Sequence, residues 1–186
     1  MTSLAALWLP ILLSAVLVFL ASSVINMATP WHKHDYRKVP DESRFQDAVR
    51  PLGLTPGGYM VPRAMSGAEA RSAEFTARMQ QGPVVIMSVL PSGAYKLGRN
   101  LAQWFLYLVV VSLFAGYIAS RALPAGADYP SVFRFVGTSA FLAYALALWQ
   151  DSIWYGRSWS VTFRATVDGL LYALLTAGVF GWLWPR

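Results

Sequence analysis

The sequence predicts an all-α integral membrane protein with four transmembrane helices and a small cytoplasmic α+β insertion between the first and second. Three observations carry that prediction. Of 186 residues, 56% are hydrophobic and only 13% charged, about half the charged share of a soluble domain. Four apolar stretches each approach the roughly 20 residues needed to cross about 30 Å of hydrocarbon. Between the first two of them, segment 27–98 holds seven of the eleven prolines and six of the nine acidic residues. A chain so poor in charge cannot coat a water-soluble globule, which excludes a cytosolic enzyme and a free nucleic-acid binder despite a net charge of +6.

The first span runs from Leu4 to Ile25, with no charge before Lys33. It lacks a basic leader, and its apolar run exceeds that of a secretory signal, so it reads as uncleaved. Pro10 falls in its first turns, where a missing amide donor does least harm. The second span lies between Arg99 and Arg121, around LAQWFLYLVVVSLFAGYIAS, the third between Arg134 and Asp151, and the fourth from Thr166 to Trp184. The last two charge-free runs are short, which draws Arg134 and Asp168 inside helices near their ends. The resulting division is 1–26 as helix 1, 27–98 as an insertion lobe and 99–186 as a three-helix region.

Lysine and arginine counts orient the chain. Twelve of the fifteen lie in 27–100 and 152–165, against Arg121, Arg134 and Arg186 on the other side. The basic side faces the cytoplasm, so both termini are expected outside. Trp31, Trp104, Trp149, Trp154 and Trp159 fall at the inner ends of spans and Trp8, Trp182 and Trp184 at the outer ends, as interfacial belts do. The basic excess then reflects topology and anionic lipid, and no nucleic-acid partner is expected.

Within the lobe, residues 41–50 suggest a short helix stopped by Pro51, and Tyr59–Val61 an extended piece. Ser66 and Glu69 form a capping box, Glu74 and Arg78 an i,i+4 pair, and Gly82 with Pro83 a stop, predicting a helix over 67–81. Residues 84–90, apolar and β-branched between Pro83 and Pro91, predict a strand, with a membrane-skimming segment as the alternative.

Two polar constellations stand out. His32, His34 and Asp35 sit at the membrane edge in WHKHD; in an extended strand alternate residues share a face, but with no further histidine and no cysteine a metal is not expected. Arg164, Asp168, Tyr172 and Thr176, spaced by four, line one stripe of the fourth helix. An intramembrane acid is costly unless paired, and Arg164, one turn away, is its natural partner. The stripe reads either as a polar path or headgroup site, or as an interfacial ion pair with a tyrosine and a back-bonded threonine. Beside it, Gly169, Ala173, Ala177 and Gly181 form a small-residue packing seam, with Ser139, Ala143 and Ala147 proposed for the third helix and Ser112, Gly116 and Ser120 for the second.

Without cysteine, thiolate zinc, iron–sulfur clusters, c-type haem and disulfides are excluded. Two histidines two positions apart cannot ligate both faces of a haem in one chain. No GxSxG, HExxH, GxxxxGK[ST] or GxGxxG occurs. No cofactor is expected, and the catalytic residues, if any, are unknown. At PWHKHDYRKVPDE, QGPVVIMSVLPSG and DGLLYALLTAGVFGWLWPR the chain resembles an uncharacterised family of small bacterial four-span inner-membrane proteins. The resemblance extends over most of the chain, implies an inner-membrane location and carries no activity to transfer. An accessory, assembly or scaffold component is the leading reading. A small oligomeric transporter or channel using the polar stripe and a membrane enzyme acting on lipid or quinone are the alternatives. Partners are membrane lipid and a protein partner or further copies of the chain.

The orientation is directly testable. A reporter active only outside the membrane should be silent when fused within 27–98 and active when fused after Arg186; the reverse pattern would refute the topology.

Overall fold

The computed structural model describes residues 2–94 and 96–186. In chain order its elements are α1 (Trp8–Ala28), α2 (Glu42–Val49), β1 (Gly57–Val61), α3 (Gly67–Ala70), α4 (Ala73–Gln81), β2 (Val85–Val89), α5 (Leu97–Ala122), α6 (Tyr129–Tyr144), α7 (Trp149–Tyr155) and α8 (Trp159–Trp182). They form two compact units, Met1–Tyr36 with Lys96–Arg186, and Arg37–Tyr95.

The first unit is a four-helix membrane bundle. Its spans are Leu4–Ala28, Leu97–Ala122, Tyr129–Tyr155 and Trp159–Trp182. α1 packs on α5 and α8, and α6 packs on the same two, closing a square. The bundle is apolar outside and partly polar inside: Trp8, Leu106, Phe114 and Phe163 are exposed, whereas Ser14, Ser112, Thr162, Asp168 and Thr176 are buried. The fourth span has the lowest mean hydropathy, 1.3, and the largest buried share, 44%, so the least apolar helix is the one most removed from lipid. Most buried hydroxyls find partners within the bundle, where no water competes. Ser14 Oγ donates to Ser112 Oγ at 3.0 Å, linking α1 to α5, and Trp104 Nε1 donates to Ser22 Oγ at 2.9 Å.

Close helix approach depends on small residues. A Cβ on Gly169 would lie 2.9 Å from the Ala145 Cβ and 3.2 Å from the Tyr144 carbonyl, and one on Gly181 would strike the Tyr129 ring at 2.7 Å. The fourth-helix seam is therefore where its spacing placed it. In the third helix it is not: Ala143 and Ala147 are exposed, and the face turned to α5 and α8 carries Val132, Val136, Ala140, Tyr144 and Ala145. Spacing by four selected a neighbouring face, because the contact is filled by a mixture of valine, alanine and tyrosine that a search for small residues alone passes over. The third span is also broken. Ala145 leaves helical geometry at φ −122°, ψ −53°, and a single 3₁₀ turn, Leu146–Leu148, leads into α7. The Tyr107 hydroxyl donates to the Ala143 carbonyl at 2.9 Å beside the break. At the far end of α7, Gly156 with φ +68° reverses the chain into α8.

The second unit is the α+β lobe. Asp41 caps α2, accepting from the Arg44 amide at 2.9 Å, and a 3₁₀ turn Arg50–Leu52 follows. β1 and β2 pair antiparallel with Tyr59 opposite Met87. Residues 85–89 are thus extended, and 57–61 are their partner. The helix expected over 67–81 is divided. Ser66 accepts from the Glu69 amide at 3.1 Å, but Ser72 caps anew, accepting from Phe75 N at 3.1 Å. A second side-chain acceptor offers the backbone an alternative to continuing the helix, and α3 stops after one turn. Arg78 pairs with Glu69 at 3.5 Å, so the pairing expected with Glu74 goes across that break instead.

Gly169→Ala tests the seam. Crowding against a backbone that cannot yield should cost about 1–3 kcal/mol, exceeding the roughly 1 kcal/mol of helix propensity gained. Gly98→Ala, whose Cβ meets nothing within 4 Å, should be neutral or stabilising in the same unfolding measurement.

Candidate functional site

Helix α1 ends at Ala28, where the Thr29 hydroxyl donates back to the Ile25 carbonyl at 2.6 Å. The chain then folds into successive turns, with Lys33 N donating to Pro30 O and Asp35 N to His32 O, each at 3.1 Å. These turns replace the extended geometry that would have put His32 and His34 on one face. His32 instead meets Asp35, three residues on, and His34 is exposed and apart from the cluster.

Four further contacts complete a chain of polar groups. His32 Nδ1 is 2.7 Å from Asp35 Oδ2, and its Nε2 is 2.8 Å from Asp168 Oδ2. Trp31 Nε1 donates to Asp168 Oδ1 at 3.0 Å. Arg164 donates through Nε at 3.0 Å and Nη2 at 2.6 Å to Asp35 Oδ1. The order is Arg164, Asp35, His32, Asp168, Trp31. Asp168 is buried, 7% exposed, and faces the bundle interior. Its partner is not Arg164, as the i,i+4 spacing suggested, but His32; the guanidinium reaches past it to the loop carboxylate, which offers a two-point contact. Burial alone would raise the Asp35 carboxyl, but hydrogen bonds and charge from His32 and Arg164 outweigh it and hold it below the ordinary carboxylate range.

The rest of the stripe goes deeper. Tyr172 belongs to a closed cycle of four rings: Trp104 to Tyr107 at 5.3 Å, Tyr107 to Tyr144 at 6.0 Å, Tyr144 to Tyr172 at 5.8 Å and Tyr172 to Trp104 at 6.3 Å between centroids. Thr176 is fully buried and donates back to the Tyr172 carbonyl at 2.8 Å. The buried Tyr144 hydroxyl makes no hydrogen bond of good geometry, although Thr176 and Ser112 lie beside it. Among the described residues, no group of three His, Asp or Glu side chains is arranged to hold a metal ion.

The two constellations read separately from the sequence are therefore one cluster, joined by His32. Trp31, read as an interfacial anchor, is a member of it. The available signal was the need of a buried acid for donors, and Trp31 and His32 are donors at the membrane edge where Asp168 was expected. Tyr107 and Tyr144 carried no such signal, since tyrosine in a span is unremarkable by spacing alone.

No protein-family model, curated protein or solved structure matches the chain. What stands is a small four-span, multi-pass membrane protein with an α+β insertion.

Asp35→Ala should leave the Arg164 guanidinium without its carboxylate and cost about 2–3 kcal/mol, at or below the roughly 3–5 kcal/mol of a fully buried broken pair because this one lies at the bundle's edge. Acid should act likewise. A carboxyl held low in the folded state contributes stability that is complete above its ordinary value near 3.9 and lost as pH falls through the lowered one. Amide protection over 29–36 should thus persist from about pH 6 to about pH 4 and fall below that. Protection unchanged at pH 2 would refute it.

Proposed function

We propose that the protein is an accessory or scaffold component of a bacterial inner membrane, whose bundle holds the 37–95 lobe at the cytoplasmic face for a protein partner. One observation carries this reading. The charged groups at the bundle edge are committed to one another, Arg164 to Asp35 and His32 to both carboxylates, so the cluster is built as a clasp on the chain entering the lobe. The lobe supports it by leaving Met60, Val84, Ile86 and Leu90 exposed, an apolar surface that a soluble module does not need for itself.

A second reading, a small oligomeric transporter, is favoured by the polar groups that continue inward from the clasp, through Tyr172 and the unbonded Tyr144 hydroxyl to Thr176, Ser112 and Ser14.

Gentle extraction from native membranes separates the readings. The scaffold reading expects a stoichiometric complex that is lost when 40–92 is replaced by a flexible linker while the bundle still folds. A chain extracted alone, and able after reconstitution to dissipate a proton gradient in a manner abolished by Asp168→Asn, would overturn it in favour of transport.

A further inference from the structure

Both ring nitrogens of His32 face carboxylate oxygens, at 2.7 Å and 2.8 Å. A neutral imidazole has one N–H and one lone pair. With both carboxyls ionised, one contact would then set a lone pair against an anionic oxygen. Both contacts are hydrogen bonds only if the trio carries one additional proton, on the ring or on a carboxyl oxygen facing it. The charge count agrees. With imidazolium, Arg164 and His32 balance Asp35 and Asp168; without that proton the cluster has one net negative charge at the edge of a low-dielectric bundle, where unbalanced charge is expensive.

The location gives this proton a mechanical consequence. Asp35 and His32 lie on the segment joining α1 to the lobe, which begins at Arg37, and Asp168 lies on α8. We propose that His32, Asp35 and Asp168 form a one-proton site, and that the bound proton latches the α1 exit to α8. With it, segment 29–36 is held; without it, the segment is released.

The charged groups facing the ring are Asp35 on its own segment and Arg164 and Asp168 from α8. Trp31 adds a neutral donor to Asp168, α8 adds Tyr172 one turn deeper, and α1 and α5 bring neutral Ser22, Asn26 and Trp104 to that level. The direction of the response follows. The latched state holds a proton that a free imidazole gives up above about pH 6.5, so rising pH favours release. This inference is independent of whether a partner binds the lobe.

The chain is suited to a direct test, because His32 and His34 are its only histidines. Full-length protein with ¹⁵N-histidine in phosphatidylethanolamine/phosphatidylglycerol nanodiscs gives two ring spin systems, assigned with His34→Gln. The ring nitrogen signals report the protonation state of each imidazole as pH is raised from about 6. When His32 loses a ring proton, amide protection over 29–36, corrected for intrinsic exchange, should drop about tenfold or more in the same pH range. Asp168→Asn removes the charge that makes the second proton necessary, and protection over 29–36 should then no longer follow the state of the His32 ring. Asp35→Asn is the second variant, and if neither folds the wild-type titration decides. A singly protonated His32 ring facing two ionised carboxylates, with 29–36 fully protected, would overturn the proposal, as would a protection change that ignores the protonation state of the cluster.

Discussion

A carboxylate placed inside a transmembrane helix must be neutralised by something that reaches it, and the arrangement around Asp168 follows from that requirement. Trp31 and His32 reach it from beyond the end of α1, which obliges the chain after Ala28 to turn back toward α8 and not to run out into water. The turns at 30–35 bring Asp35 to the other side of the same imidazole, and Arg164 completes the balance. Removing any one member leaves another buried polar group without its partner, the costly side of the asymmetry between making and breaking buried pairs. The cluster is thus better described by its connectivity than by any single ion pair.

The same logic orders the interior below it. Lipid gives apolar side chains no reason to leave the periphery, so association rests on close contact and on polar groups that find one another. Ser14 with Ser112, Trp104 with Ser22, and Ser152 with Thr162 at 2.6 Å tie α1 to α5 and α7 to α8. The four-ring cycle lies between the clasp and the deeper Ser14–Ser112 pair. Tyr144 contributes its ring to that cycle, with contacts to Tyr107 and Tyr172, and its position is set by the break that follows it in α6.

How much of this was legible in the sequence depends on the range of the interaction. The spans were legible because run length against bilayer thickness is a local property, and Asp168 and WHKHD stood out as local exceptions. Their union was not, since His32 and Asp168 are 136 positions apart and i,i+4 spacing offered a plausible nearer partner for the acid. The break at Ala145 was illegible for a related reason. No proline or glycine marks YALAL; the helix departs where Gly169 of α8 lets the backbones touch and where Tyr107 bonds a carbonyl at the end of the helix. In the lobe, Ser66 correctly marked a helix start, but Ser72 marked another, and two caps six positions apart make two short helices, not one long one.

The seam and the clasp are finally a single constraint, because they occupy adjacent stripes of one helix. Gly169, Ala173 and Ala177 fix the rotation of α8 against α6, with Gly169 in contact range of Tyr144 and Ala145. At 100° per residue, that rotation also fixes where Asp168 points, and there is no slack in a contact that would not admit a methyl group. Helix packing therefore aims the carboxylate before the α1 exit folds onto it. The loop carries most of the adjustable geometry and α8 almost none, so a change in the proton balance of the cluster is taken up by movement of segment 29–36 and not by rotation of the helix.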